Sequence, residues 1–247
     1  MRSFFAAIQF LTICPFPSRS QYGEKELRQS IPFFPVVGLL LGGVIAVLAG
    51  GLSWMFPPFP ASVLIVIAML AVSGGFHMDG LADTADGFLS SRPKERILEI
   101  MRDSHTGPMG VIAVVCTMVL KVAALASAPK VLLLETVFLM PLAGRCALVI
   151  ASAALPYARP QGGLASAFGR PRWPTVSTAL LLLFAASWLG LRAAGLTAAV
   201  LSVLATLIFS LYCNHRIGGF TGDTLGAACE IAEVMPALVA ASWRWPQ

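Results

Sequence analysis

Charge is what this sequence has least of. Asp, Glu, Lys and Arg make up 12% of its 247 residues, about half of what a soluble domain carries, which excludes an ordinary soluble enzyme. Between Arg28 and Asp79 there is no charged residue at all. The five cysteines stand alone, with no CxxC and no zinc-ligand spacing, so they read as small apolar fillers rather than a metal or redox framework. No basic stretch is interleaved with aromatics, so the net charge of +5 argues for Lys- and Arg-rich membrane loops and against nucleic acid as a partner. A signal-peptide cleavage site is also missing: the short apolar N-terminus runs into Pro15, Phe16 and Pro17 instead of small residues. About a dozen apolar residues cannot span a bilayer, so that segment is expected to be an amphipathic, shallowly inserted helix.

What is present is hydrophobic length. Mean hydropathy is +0.80, and uncharged runs of span length recur, which predicts an all-α, polytopic membrane bundle forming one domain over residues 1–247. Pro57, Pro58 and Pro60 divide the first long run into a hairpin with arms near 34–56 and 61–76. Further spans are expected near 109–128, 132–155, 176–191 and 196–213, six in all. A seventh apolar stretch, 225–242, carries Glu230 and Glu233, either costly at a lipid-facing bilayer centre, and should line a cavity or lie at the interface. Most basic residues fall in the loops 19–28, 77–108 and 157–174, which places those loops in the cytoplasm of an inner-membrane protein.

All candidate chemistry lies on that side. Residues 77–87 read HMDGLADTADG; on a helix the i, i+4, i+7 offsets put Asp79, Asp83 and Asp86 on one face within about two turns. Three adjacent anions call for a cation. Mg²⁺ fits because it takes hard oxygen ligands, few of them from protein and the rest from substrate phosphates. Residues 101–110, MRDSHTGPMG, add Arg102, Asp103 and His105. Residues 216–226, RIGGFTGDTLG, add Arg216, Thr221 and Asp223, where Thr221 or Asp223 suits an N-cap and the helix N-terminus favours phosphate. His77 suits metal, phosphate or a plain interfacial site. Arg145, within a span, needs an anionic partner; Lys121, nearer a span end, is read as snorkelling without a role. Arg159 joins the anion contacts.

The segments GGFHMDGLADTADGF, RDSHTGPMGV and GGFTGDTLGAACEIAE, with AIQFLTICPFPSR and FFPVVGLLLGG near the N-terminus, resemble the cobalamin synthase (adenosylcobinamide-GDP ribazoletransferase) family over nearly the whole chain. The resemblance implies a Mg²⁺-dependent membrane enzyme joining adenosylcobinamide-GDP to α-ribazole or its 5′-phosphate with release of GMP. It makes Asp79, Asp83, Asp86 and Asp223 the metal-ligand candidates and leaves the general base open among Asp103, His105 and Glu230. His77, Arg102, Arg145, Arg159, Arg216 and Thr221 become substrate contacts. A monomer and an oligomer are both compatible with it. Two other classes share part of the pattern. A CDP-alcohol phosphotransferase shares the opening of the pattern at Asp83–Gly87, but Phe88-Leu89-Ser90-Ser91 breaks it. A divalent-cation transporter would place its acids near the midplane of two related halves, and no internal repeat is visible.

Overall fold

The computed structural model describes residues 2–14, 23–103 and 105–243. Pro15, Phe16, Pro17 and Arg19, on which part of the N-terminal reading rests, lie outside them.

The uncharged run folds as the expected hairpin, α3 (Phe34–Met55) and α4 (Pro58–Ser73). Proline is tolerated at the start of α4 because its missing N–H would have no helical partner there. Before the hairpin come α1 (Arg2–Leu11), α2 (Glu24–Arg28) and a 3₁₀ turn. Ten residues of α1 reach about 15 Å, too short to cross, and only one face of it, Ala6, Ala7 and Leu11, is buried. The two-faced character expected of this segment is present.

The segment read as a polar connection, 77–108, contains α5 (Phe76–Phe88) and α6 (Lys94–Ile100). α5 does not continue α4. Gly74 and Gly75 both adopt positive φ, 64° and 72°, which ends α4 in a left-handed cap, and α5 leaves at 92°. The aspartate helix therefore lies across one end of the bundle instead of descending into it.

α7 (Pro108–Ser127) and α8 (Leu133–Ala154) follow at the expected positions. α9 (Trp173–Ile217) is interrupted at Arg192, with φ 52° and ψ −127°. This is the turn expected between the fifth and sixth spans. α10 (Gly222–Ser242) closes the chain.

α8 and α10 form the centre, most of their residues being buried, and α3, α5, α7 and α9 pack around them. The outer helices instead expose large apolar side chains, among them Val47, Val119, Leu189 and Ile208. An apolar core surrounded by an apolar exterior is what lipid requires, and the chain is a multi-pass membrane protein. The interfacial option for residues 225–242 is corrected, because α10 is enclosed and its two glutamates face protein.

Candidate functional site

The site forms where α5, the start of α7, the loop after α8 and the start of α10 converge. α5 and α10 approach so closely at Gly80 that a Cβ there would sit 2.7 Å from the Asp223 carbonyl oxygen. Only glycine admits that approach, and it carries Asp79 and Asp83 to the first turn of α10. Thr221 starts that turn: its Oγ1 accepts from the Thr224 N–H at 3.2 Å, while its own N–H donates to Thr224 Oγ1 at 2.8 Å. Thr221 is a buried N-cap, so the substrate contact expected of it gives way to a structural one.

Asp223 sits at the second position of α10, bound by Arg159 Nη2 at 2.7 Å. Arg159 also donates to the Met101 carbonyl at 3.3 Å, and its buried Nε has no partner. Asp86 accepts from the Gly107 and Gly110 N–H groups at 2.7 and 2.8 Å, which ties α5 to the head of α7. Asp79 and Asp83 make no hydrogen bond or ion pair among the described residues. Burial, then Asp79, Asp223 and Asp86 in that order, push the Asp83 carboxyl up to about 7, with Arg159 partly opposing them. Four carboxylates thus share one field, two of them neutralised by donors and two without partners.

Among the described residues no three His, Cys, Asp or Glu side chains converge tightly enough to enclose a metal by themselves. That donor set still fits Mg²⁺, which is commonly held by one or two carboxylates and completed by water and phosphate oxygens. Asp79 and Asp83 have the free oxygens. Asp86 and Asp223 have some of theirs committed.

Asp103 and His105 lie on the exposed loop before α7, paired at 2.6 Å between Oδ1 and Nδ1. The hydrogen bonds from His105 hold the Asp103 carboxyl below its usual range. Arg102 is exposed beside Gln161, 3.3 Å away. Arg216 donates to the Phe88 and Ser90 carbonyls at 2.7 and 2.8 Å. It therefore caps the C-terminus of α5 rather than lining the site.

Two further expectations are corrected by burial. Glu230 lies two turns deeper on α10 than Asp223 and accepts from Lys121 Nζ at 2.6 Å; Glu233 accepts from the same Nζ at 2.9 Å and from Arg145 Nη1. All four are 2 to 3% exposed. A base needs reach to its proton and a phosphate contact needs access, whereas Glu230 and Arg145 are enclosed in this network away from the surface carboxylates. Lys121, given no role from sequence, is central to this network. The signal was available: two glutamates in an apolar stretch need buried cations, and Lys121 and Arg145 are the charged residues of α7 and the second half of α8. His77 is buried between site and network, its Nε2 without a partner.

The sequence profile described as cobalamin-5-phosphate synthase matches residues 3–241. The chain belongs to this family. Proteins named adenosylcobinamide-GDP ribazoletransferase resemble this family member from end to end. That of Desulfitobacterium hafniense is 37% identical over 95% of this chain and 94% of its own. The Roseiflexus sp. protein is 39% identical over 93% and 85%, and the Clostridium novyi protein 34% over 99% and 98%. No solved structure matches the chain. Family membership makes the chain a transferase of cobalamin biosynthesis and removes the lipid-transferase and transporter alternatives.

Proposed function

We propose that this chain joins adenosylcobinamide-GDP to α-ribazole or α-ribazole 5′-phosphate, releasing GMP, at the α5–α10 carboxylate site. The observation that carries the reading is the pair of unpartnered carboxylates, Asp79 and Asp83, beside the Asp223–Arg159 pair. This is the arrangement a pyrophosphate with its counter-ion needs, anionic oxygens for the cation and a guanidinium for phosphate oxygens.

Asp79 and Asp83 are the ligands proposed for Mg²⁺, with Asp223 adjoining. Held there, a divalent cation would supply neutralisation of the charge on the departing GMP phosphate. Arg159, already held by Asp223, presents its remaining N–H groups to the same phosphates. Asp86 holds the Gly107–Gly110 segment against α5, and with it the loop bearing the Asp103–His105 pair. Asp103 fixes the His105 ring through Nδ1, leaving Nε2 to take the proton of a secondary ribose hydroxyl of the ribazole, free in both forms of the substrate, as its oxygen attacks the corrinoid-linked phosphorus and GMP departs. Arg102, exposed on the same loop, adds positive charge at the approach.

The site end of the bundle bears Arg92, Lys94, Arg96, Arg102, Arg159, Arg170, Arg172 and Arg216, whereas Lys130 and Arg192 mark the other. That asymmetry supports a cytoplasmic site in the inner membrane, where a soluble nucleotide conjugate has access.

The test is to supply membranes containing the protein with adenosylcobinamide-GDP, α-ribazole and Mg²⁺ and assay GMP and the complete corrinoid. Product above an empty-membrane control is expected, and its absence would sink the assignment. Asp79→Asn and Asp83→Asn should abolish turnover in inserted protein. Near-normal rates in both would remove the metal role while leaving the reaction standing.

A further inference from the structure

Beside the carboxylates the structure contains a cavity of about 160 Å³. Its walls are aromatic: Phe10 from α1, Phe34 from α3, Phe76 from α5, and Phe168 from the loop after α8. Tyr157, from the same loop as Phe168, adds a fifth aromatic ring and a hydroxyl. Phe168 is the hub, edge-on to Phe10 with centroids 4.8 Å apart and to Phe34 at 5.5 Å. Phe10 is likewise edge-on to Phe76 at 5.4 Å.

Besides the Tyr157 hydroxyl, two polar features break this apolar lining, and they sit differently. Asp223 and Arg159 belong both to the cavity and to the carboxylate site. His77 also lines it, is 2% exposed, and its Nε2 has no hydrogen-bond partner. A buried polar nitrogen left unpaired is costly, and on a residue that lines the cavity it offers a donor to a ligand atom.

On the reading that the chain is a ribazoletransferase, we infer that this cavity is the receptor for the benzimidazole base of the ribazole substrate, with His77 Nε2–H donating to the base's unglycosylated ring nitrogen. The chemistry selects this occupant over the others present in the reaction. A dimethylated benzimidazole is a flat, apolar bicycle with a single acceptor nitrogen, matching an aromatic box with a single buried nitrogen. Guanine has donors and acceptors around its whole edge, and those on the side of the phenylalanines would be left unpaired. The corrin macrocycle is several times too large. With the base seated among the phenylalanines, the ribose emerges toward Asp223 and Arg159, which brings its secondary hydroxyls to the carboxylate site.

The inference also gives α1 a purpose. This short interfacial helix contributes Phe10 to the wall, so a segment that does not cross the membrane completes the substrate pocket.

The experiment measures equilibrium binding of labelled α-ribazole to the purified full-length protein, alongside turnover. α-Ribazole is compared with its indole analogue, in which the unglycosylated ring nitrogen is replaced by CH. The wild type is expected to bind the analogue about tenfold more weakly, the loss that follows when a buried donor is left unpaired. In His77→Ala that discrimination should collapse while adenosylcobinamide-GDP keeps its KM within about twofold. Phe168→Leu, which keeps bulk and folds if the histidine variant does not, should weaken both nucleosides together. Equal binding of the two nucleosides by wild type overturns the inference. So does displacement of the label by GMP as readily as by α-ribazole, or a KM change confined to adenosylcobinamide-GDP. Absence of turnover with intact, nitrogen-dependent ribazole binding would instead refute the proposed reaction and leave the pocket assignment standing.

Discussion

Replacing Lys121 by Met tests the buried charge network most directly. The ammonium lies 2.6 Å from Glu230 and 2.9 Å from Glu233, and Arg145 balances the second glutamate. Two cations and two anions cancel inside the bundle. Methionine preserves the length of the stem but leaves two carboxylates facing one guanidinium. Breaking a buried pair in this way costs about 3–5 kcal/mol, because the orphaned charge remains desolvated. For a chain of this length that is roughly 10 °C in the midpoint of unfolding. Adding Glu230→Gln to Lys121→Met restores neutrality, with Arg145 and Glu233 still paired, and should recover more than half of the loss. The assay is thermal unfolding in one detergent, with turnover measured at a temperature where every variant is folded. Single and double variants equally destabilised, or a Lys121→Met loss under about 1 kcal/mol, would refute the reasoning. Folded Glu230→Gln should retain turnover, whereas a folded but dead enzyme would return Glu230 to the catalytic list.

Two other outcomes follow from the site. Protons and Mg²⁺ compete for Asp83, whose carboxyl titrates near 7 in the metal-free protein; the half-saturating Mg²⁺ concentration should fall about tenfold between pH 6 and pH 8, and a flat titration curve would exclude Asp83 as a ligand. The sign for stability is opposite: the folded-state pKa lies above the unfolded value, so chelated protein should lose stability as pH rises through about 7, measurable by thermal unfolding in EDTA. Gly80→Ala would place a methyl against the backbone of Asp223; separating α5 from α10 should cost about 1–3 kcal/mol and lower kcat at least tenfold, and full activity would show that this close approach is dispensable.

How far the sequence reached depends on the kind of physics involved. Span positions, the proline hairpin and the Arg192 turn were legible because they follow from local hydropathy and backbone chemistry within a single segment. The sidedness proposed from loop charge is a local reading too. The i, i+4, i+7 aspartates could be placed on one face because α5 is a helix, whose geometry is the same wherever it lies.

Direction and pairing were not legible. The 92° departure of α5 depends on Gly74 and Gly75 both taking left-handed dihedrals, a choice glycine permits but does not dictate. Lys121 meets Glu230 across 109 positions and Arg159 meets Asp223 across 64. Such meetings depend on which helices become neighbours, and hydropathy is blind to that because α7 and α10 are both apolar. The same blindness made Glu230 look like a base and Arg216 like a phosphate ligand, since a charged residue announces that it needs a partner without naming one. Sequence alone determined that this chain crosses a membrane and gathers its aspartates into three short segments. Packing decided which of those charges are neutralised in the interior and which remain open to a substrate, because only close approach of distant helices can satisfy a charge where water cannot.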